Sequence, residues 1–266
     1  MNPLDWIIRF MIASMIFFPS AGFDEKPEDY GFAYEEISVT AKDGASLFGW
    51  YLKAQGEEKG AILLLHGNAG NISHRLFKAA GWIRRGFSVF LIDYRGYGKS
   101  GGSIRNKEDV FSDAEAALRW LRESKGLADS KIILCGESLG TWPALRLASL
   151  GRFGALILEA PFTSFPDLAK KHYAFIPEPM LRMLLKDFDF SNLALAGMAK
   201  TPAMVIQGTS DEICPFEMGR QVFEKLPEPK SFFAVEGGGH NDVPMVAGES
   251  YWEKTAEFIF LHVPPK

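Results

Sequence analysis

Gly136-Glu137-Ser138-Leu139-Gly140 fits the pattern G-x-S-x-G, and its surroundings give the pattern meaning. Upstream, Lys131-Ile132-Ile133-Leu134-Cys135 is a short, mostly apolar run of the kind that forms a buried parallel strand. Downstream, Leu145, Leu147, Ala148 and Leu150 recur at helical spacing between Trp142 and Leu150. A serine between such a strand and such a helix sits on a sharp, strained turn that lifts its hydroxyl over the sheet edge. The two glycines answer to crowding, since side chains there would collide with neighbouring backbone. The helix that follows aims its first N–H groups at negative charge forming near the serine. Ser138 is therefore the candidate nucleophile; the plainer alternative is an ordinary serine in a glycine-rich turn.

Outward from this stretch, strand and helix signals alternate. Tyr34 to Thr40 and Ser46 to Leu52 alternate in polarity around Asp43-Gly44, which predicts an antiparallel hairpin. Strands are expected at Ala61 to Leu65, Ser88 to Ile92, Gly154 to Leu158, Ala203 to Gln207 and Ser231 to Val235. Helices are expected at Arg75 to Arg85, Val110 to Ser124, Phe216 to Lys225 and Tyr251 to His262. Short apolar strands alternating with helices imply an α/β fold, a mostly parallel sheet covered on both faces, with ligands at the carboxyl ends of its strands. Residues 166–200 depart from the rhythm. This apolar insertion reads as a core-packing helix pair, as a small helical cap lining an acyl pocket, or as both at once. The expected organisation is an apolar N-terminal segment, residues 1–22, ahead of a single domain, residues 23–266, that carries the cap.

A serine hydroxyl is a weak nucleophile at neutral pH and needs an adjacent base, and the base needs a carboxylate to hold its tautomer. Of the five histidines, His240 alone follows a late strand, in the flexible loop Glu236-Gly237-Gly238-Gly239-His240-Asn241-Asp242. It is the candidate base. His74 and His172 read as exposed or capping, His66 as a turn-fixing residue, and His262 has no partner in view. Asp211, after the strand Ala203 to Gln207, is the candidate acid, with Glu212 and Glu159 as rivals. Leu139 N–H and Asn68 N–H, from the loop His66-Gly67-Asn68-Ala69-Gly70-Asn71, are the candidate oxyanion donors, with Ala69 as alternate to Asn68.

Composition excludes several classes. A net charge of −4 argues against a general nucleic-acid binder. No C-x-x-C or H-E-x-x-H spacing suggests a metal site, and Gly96 to Gly101 lacks the spacing of a phosphate-cradling loop. Two cysteines, Cys135 and Cys214, do not fix the redox compartment. Trp6 to Phe18 is nearly all apolar, broken by Arg9 and stopped by Pro19. It falls short of the roughly 20 residues that span a bilayer. It reads as a membrane-surface helix or short anchor, a segment packed beside the active site, or a targeting segment.

Taken together, His66 to Asn71, Asp93-Tyr94-Arg95-Gly96-Tyr97-Gly98-Lys99-Ser100, the serine motif, Glu159-Ala160-Pro161-Phe162 and Gly238 to Asp242 resemble the α/β-hydrolase superfamily, in particular its Bem46-like subfamily, from about Tyr34 onward. The resemblance implies Ser138, Asp211 and His240 as nucleophile, acid and base. Some relatives are membrane-associated and remove palmitate from protein cysteines. The cysteine-rich N-terminus that anchors those is absent here, so their substrate does not carry over. The expectation is a serine hydrolase, of carboxylesterase or thioesterase type, needing no cofactor. Its expected substrate is a small-molecule or lipid-like acyl compound, or an acylated protein, met in the cytoplasm or at a membrane surface. A peptidase of the same fold and a non-catalytic binding protein are the alternatives.

Overall fold

The computed structural model describes residues 11–263. Residues 11–16 are helical (α1) and lead into a two-residue strand, Phe18–Pro19 (β1). The two alternating segments form Tyr34–Thr40 (β2) and Ser46–Leu52 (β3). Strand and helix then take turns through Gly60–Leu65 (β4), the short Ala69–Gly70 (β5), Leu76–Ile83 (α2), Phe87–Ile92 (β6), Lys107–Glu123 (α3), Ile132–Glu137 (β7), Thr141–Leu150 (α4) and Ala155–Glu159 (β8). Three short helices follow, Phe165–His172 (α5), Glu178–Leu184 (α6) and Asn192–Ala196 (α7). The chain ends with Ala203–Gly208 (β9), Phe216–Lys225 (α8), Lys230–Val235 (β10), Val243–Ala247 (α9) and Glu249–His262 (α10).

Eight strands make one sheet in the order β10-β9-β8-β7-β4-β6-β3-β2. Only β3 runs against the rest, pairing antiparallel with β2 on one side and β6 on the other. A strand covered on both faces gains from apolar side chains at every position, which is why β4, β6 and β7 read as largely apolar runs. In β4, Ala61, Leu63 and Leu65 face one core, with α3, α4, α7 and α8, while Ile62 and Leu64 face the other, with α2, α9 and α10. The expected α/β-hydrolase arrangement of a largely parallel sheet between helical layers is what the chain forms.

Two boundaries moved for local reasons. Helix α3 starts three residues ahead of the apolar pattern because the Asn106 side chain accepts from the amides of Glu108 and Asp109, a cap that supports a polar first turn. The helix expected from Arg75 begins as a 3-10 turn, Ile72–Arg75, capped by Asn71, and becomes α2 only at Leu76.

Register places the site. In β7, Gly136 lies opposite Leu65 of β4 on one side and Leu158 of β8 on the other. Whatever follows β7 therefore sits between the loops that leave β4 and β8, at the sheet's carboxyl edge.

Candidate active site

Ser138 follows β7 directly, with φ +50°, a left-handed conformation that a non-glycine residue holds only under strain. The surrounding packing enforces it. A Cβ on Gly140 would overlap the Leu65 carbonyl, and one on Gly136 would overlap the Gly140 carbonyl. The strand, the turn and α4 can therefore close on one another only with glycine at both places, and the serine is the residue left to turn outward.

His240 and Asp211 arrive from the two neighbouring edge loops. Asp211 follows β9 and His240 follows β10, strands that pair in parallel so that their exit loops are adjacent. His240 Nδ1 lies 2.8 Å from Asp211 Oδ2, and His240 Nε2 lies 3.1 Å from Ser138 Oγ. A carboxylate oxygen accepts, so the imidazole proton belongs on Nδ1. That leaves the Nε2 lone pair to accept from the serine hydroxyl. Asp211 is itself fixed: its Oδ1 accepts from the amides of Ile213 (2.9 Å) and Cys214 (2.8 Å), and its Oδ2 also accepts from Gln207 Nε2 (3.0 Å). Gln207 as a clamp on the acid went unseen in the sequence, where it is one more residue of a strand. The two rival acids are placed elsewhere. Glu212 is exposed, and Glu159 pairs with Lys78 and Tyr251.

The loop after β4 completes the surroundings. Its Asn68 carbonyl accepts from Phe18 N–H (2.9 Å) and the Tyr97 hydroxyl (2.8 Å), while the Asn68 side-chain amide donates to the Ile16 carbonyl (2.7 Å). With carbonyl and side chain both engaged, its N–H has no acceptor among the described residues. Leu139 and Gly140 open the helical turn after the serine, where amides lack an upstream carbonyl. His66 Nδ1 lies 2.7 Å from the Gly67 carbonyl and fixes the turn. His74 hydrogen-bonds the Asn71 amide and Asp24, His172 meets the Ile213 carbonyl, and His262 packs on Phe258. Cys135 and Cys214 are buried free thiols. Burial pushes the Cys214 thiol, beside Ser138, far above its ordinary range, so it stays protonated and is no rival nucleophile.

A cleft of about 400 Å³ opens at Ser138 and His240. Its apolar side is Phe77, Ala160, Pro244 and Met245. Its polar wall is a charge network that sequence reading missed. Lys78 bridges Glu137, at hydrogen-bond contact, and Glu159 at 2.8 Å, and Arg75 Nε holds the other Glu137 oxygen at 3.1 Å. The Tyr251 hydroxyl donates to the second oxygen of Glu159 at 2.6 Å. Burial alone would push Glu137 up, but Lys78 and Arg75 outweigh it and hold its carboxyl below the usual carboxylate range. Burial likewise pulls Lys78 down, yet the two glutamates keep it above its ordinary value. None of the cleft's lining residues comes from residues 166–200. Phe188 and Phe190 of that region are instead buried against Phe17, Trp142 and Phe165, so the later part of the insertion packs the core and none of it lines this cleft.

Comparison with known proteins agrees with this architecture. Residues 56–192 match the family model described as "Serine aminopeptidase, S33". An uncharacterized protein of Mycobacterium tuberculosis is 34% identical over 246 residues, spanning 92% of this chain and 86% of that protein. Alpha/beta hydrolase domain-containing protein 17C of Xenopus tropicalis is 32% identical over 238 residues, spanning 87% of this chain and 72% of the relative. A Pyrococcus furiosus esterase superposes with a TM-score of 0.78 at 20% identity, over 94% of this chain and all of that one, a likeness of fold alone. On these grounds the chain belongs to the α/β-hydrolase superfamily, matches its serine aminopeptidase S33 family, and resembles the Bem46-like members.

Proposed function

We propose that the protein is a serine hydrolase of carboxylic ester or thioester bonds, acting through an acyl-enzyme on Ser138. The observation that carries this reading is the unbroken line of hydrogen bonds from Ser138 Oγ through His240 to Asp211. Ser138 attacks the acyl carbonyl as His240 Nε2 takes its proton, and Asp211 stabilises the resulting imidazolium. Leu139 N–H and Asn68 N–H hold the oxyanion, each such donor being worth roughly 3 to 4 kcal/mol of barrier. His240 then protonates the departing alcohol or thiol and activates the water that releases the acid. Protein groups and water suffice for every step.

Ser138→Ala lowers kcat on p-nitrophenyl esters by about four to six orders of magnitude with the fold intact. A fluorophosphonate labels the wild type at Ser138, whereas a hydrolase-fold binding protein stays unlabelled. Wild-type turnover by the purified variant would overturn the assignment.

The matched family's description raises a peptidase reading. The cleft supports it poorly, because both carboxylates in its lining, Glu137 and Glu159, already face Lys78, Arg75 and Tyr251, and neither is left to hold a peptide amino terminus. Faster turnover of aminoacyl p-nitroanilides than of acyl esters would reverse that preference.

This chemistry operates at a membrane surface in our reading. Met11, Met15 and Phe18 of the leading segment are exposed, as are Phe175 and Met183, and exposed large apolar side chains support contact with lipid. No described helix is long and apolar enough to cross a membrane. Met11→Ser with Met15→Ser, on the outer side of α1, is expected to reduce co-sedimentation with liposomes. Unchanged partitioning would remove the membrane from the account.

A further inference from the structure

The guanidinium of Arg75 is half used. Its Nε donates to Glu137 and its Nη1 reaches the Ala69 carbonyl only at 3.4 Å. The Nη2 protons have no acceptor among the described residues, and the side chain lines the cleft at Ser138 rather than being sealed away. The place a Cβ on Gly67 would occupy lies 3.5 Å from Ser138 Cβ and 3.6 Å from Arg75 Nη2. The Glu137 carbonyl oxygen is equally near, at 3.6 Å, so Gly67 only brings the two side chains close together; the gap is the cleft itself, lined by Ser138 and by a guanidinium edge with free donors.

Several observations limit what can fill the gap. The neighbouring Lys78 is spent on Glu137 and Glu159. Glu137 accepts from Lys78 and Arg75 and keeps Arg75 oriented. A planar guanidinium held from one edge and open on another is matched by a group with two negatively charged oxygens. A neutral alkyl chain laid along this wall would strip water from the free donors without replacing its hydrogen bonds, which costs free energy. The apolar side of the cleft, Phe77 and Met245, remains available for the rest of the substrate.

Resting on the serine-hydrolase reading, we propose that Arg75 is a specificity-determining residue that binds an anionic group, a carboxylate or phosphate, carried by the substrate within a few bonds of the scissile carbonyl. The substrate class is then an acidic ester or thioester rather than a plain fatty acyl ester. Arg75 takes no part in bond making. It sets which ester is held with its carbonyl over Ser138.

Two matched pairs of esters test this, one with the charge on the acyl side and one on the alcohol side. The first is mono-4-nitrophenyl glutarate against 4-nitrophenyl valerate; the second is carboxymethyl butyrate against propyl butyrate, followed by pH-stat. In at least one pair the wild type is expected to favour the anionic ester in kcat/KM, through KM. Arg75→Gln is expected to reduce the anionic-to-neutral ratio about tenfold or more, and Arg75→Lys to restore part of it. In wild-type protein, where folding is not at issue, free glutarate or inorganic phosphate is expected to inhibit neutral-ester turnover competitively. An anionic-to-neutral ratio that moves less than twofold in Arg75→Gln for both pairs, or wild type insensitive to both anions, overturns the proposal. Failure of the wild type to hydrolyse any of the four esters would instead strike the serine-hydrolase reading.

Discussion

His66 and Asp93 lie fully buried at the root of the loop that carries Asn68, with His66 Nε2 3.5 Å from Asp93 Oδ1. Neither His66 Nε2 nor Asp93 Oδ2 has a hydrogen-bond partner among the described residues. Burial pulls the imidazole down to about 3 and pushes the Asp93 carboxyl up to about 7. The two act on stability with opposite signs. Asp93 is raised from 3.8, so its contribution is complete below that value and is lost as pH rises through about 7. His66 is lowered from 6.5, so its contribution is complete above that value and is lost as pH falls towards about 3. Where these windows overlap, from about pH 4 to 6.5, the pair nearly cancels. Asp93→Asn removes one arm. The difference in unfolding free energy between variant and wild type should then climb with pH across that range, by up to about 1.4 kcal/mol per unit. Urea titrations at three pH values read this directly, and parallel curves for the two proteins would refute it. At this scale the sequence discloses residues whose place depends on order along the chain. Ser138, Asp211 and His240 each follow a recognisable strand, and the parallel sheet brings such positions to one edge. Arg75 and Lys78 were hidden because their partners, Glu137 and Glu159, belong to β7 and β8, and nothing local says that α2 lies over those strand ends. The one hint was a lysine interrupting the apolar run Leu76-Phe77-Lys78-Ala79-Ala80.

Between elements, Arg95 is the principal charged junction. Its buried guanidinium meets Asp113 of α3 at 2.7 Å, Asp109 of the same helix at 3.0 Å, and Asp43 of the β2–β3 turn at 2.6 Å. One side chain thereby ties the edge hairpin, the loop after β6 and the start of α3. Removing it strands carboxylates in the interior. Burial already pushes Asp113 up to about 6 despite the guanidinium beside it. Arg95→Leu should therefore destabilise by about 3 to 5 kcal/mol at neutral pH. The check is the denaturation midpoint of the variant, and a loss under about 1 kcal/mol would mean that water reaches those acids freely. Elements were legible where one physical demand dominates their sequence. Two-sided burial wrote β4, β6 and β7 as largely apolar runs and one-sided burial wrote β2 as alternation, whereas β3 is buried on both faces from Gly49 to Leu52 and alternates less cleanly than the sequence reading expected. Residues 166–200 resisted because they answer two demands at once. Phe188 and Phe190 are sealed in the core, while Tyr173, Phe175 and Met183 face solvent, so no clean period survives. The pairing of β1 with β5 was invisible because strands of two residues carry no pattern.

At the level of the whole molecule, the sheet divides two apolar layers, and the leading segment belongs to the layer that contains α3 and α4. Ile12, Ala13 and Ile16 pack against it, and Phe17 inserts between Phe188 and Phe190 at ring distances of 5.7 and 6.4 Å. Trp6 to Phe10, the first part of the apolar stretch noted in the sequence, lies outside the described residues. Phe17→Ala should cost about 3 to 5 kcal/mol, the range for emptying a buried aromatic site. An unchanged melting temperature would show that the leading segment does not dock. The contacts of Asn68 give this docking a kinetic side. Ile16 and Phe18 grip that residue by its side chain and carbonyl, so the aim of one amide beside Ser138, the proposed nucleophile, depends on residues some fifty positions earlier in the chain. Trimming the chain back past Phe18 should slow each turnover yet leave ester affinity nearly unchanged. Anything that peels this leader away would then work as a throttle on the enzyme without ever entering its cleft.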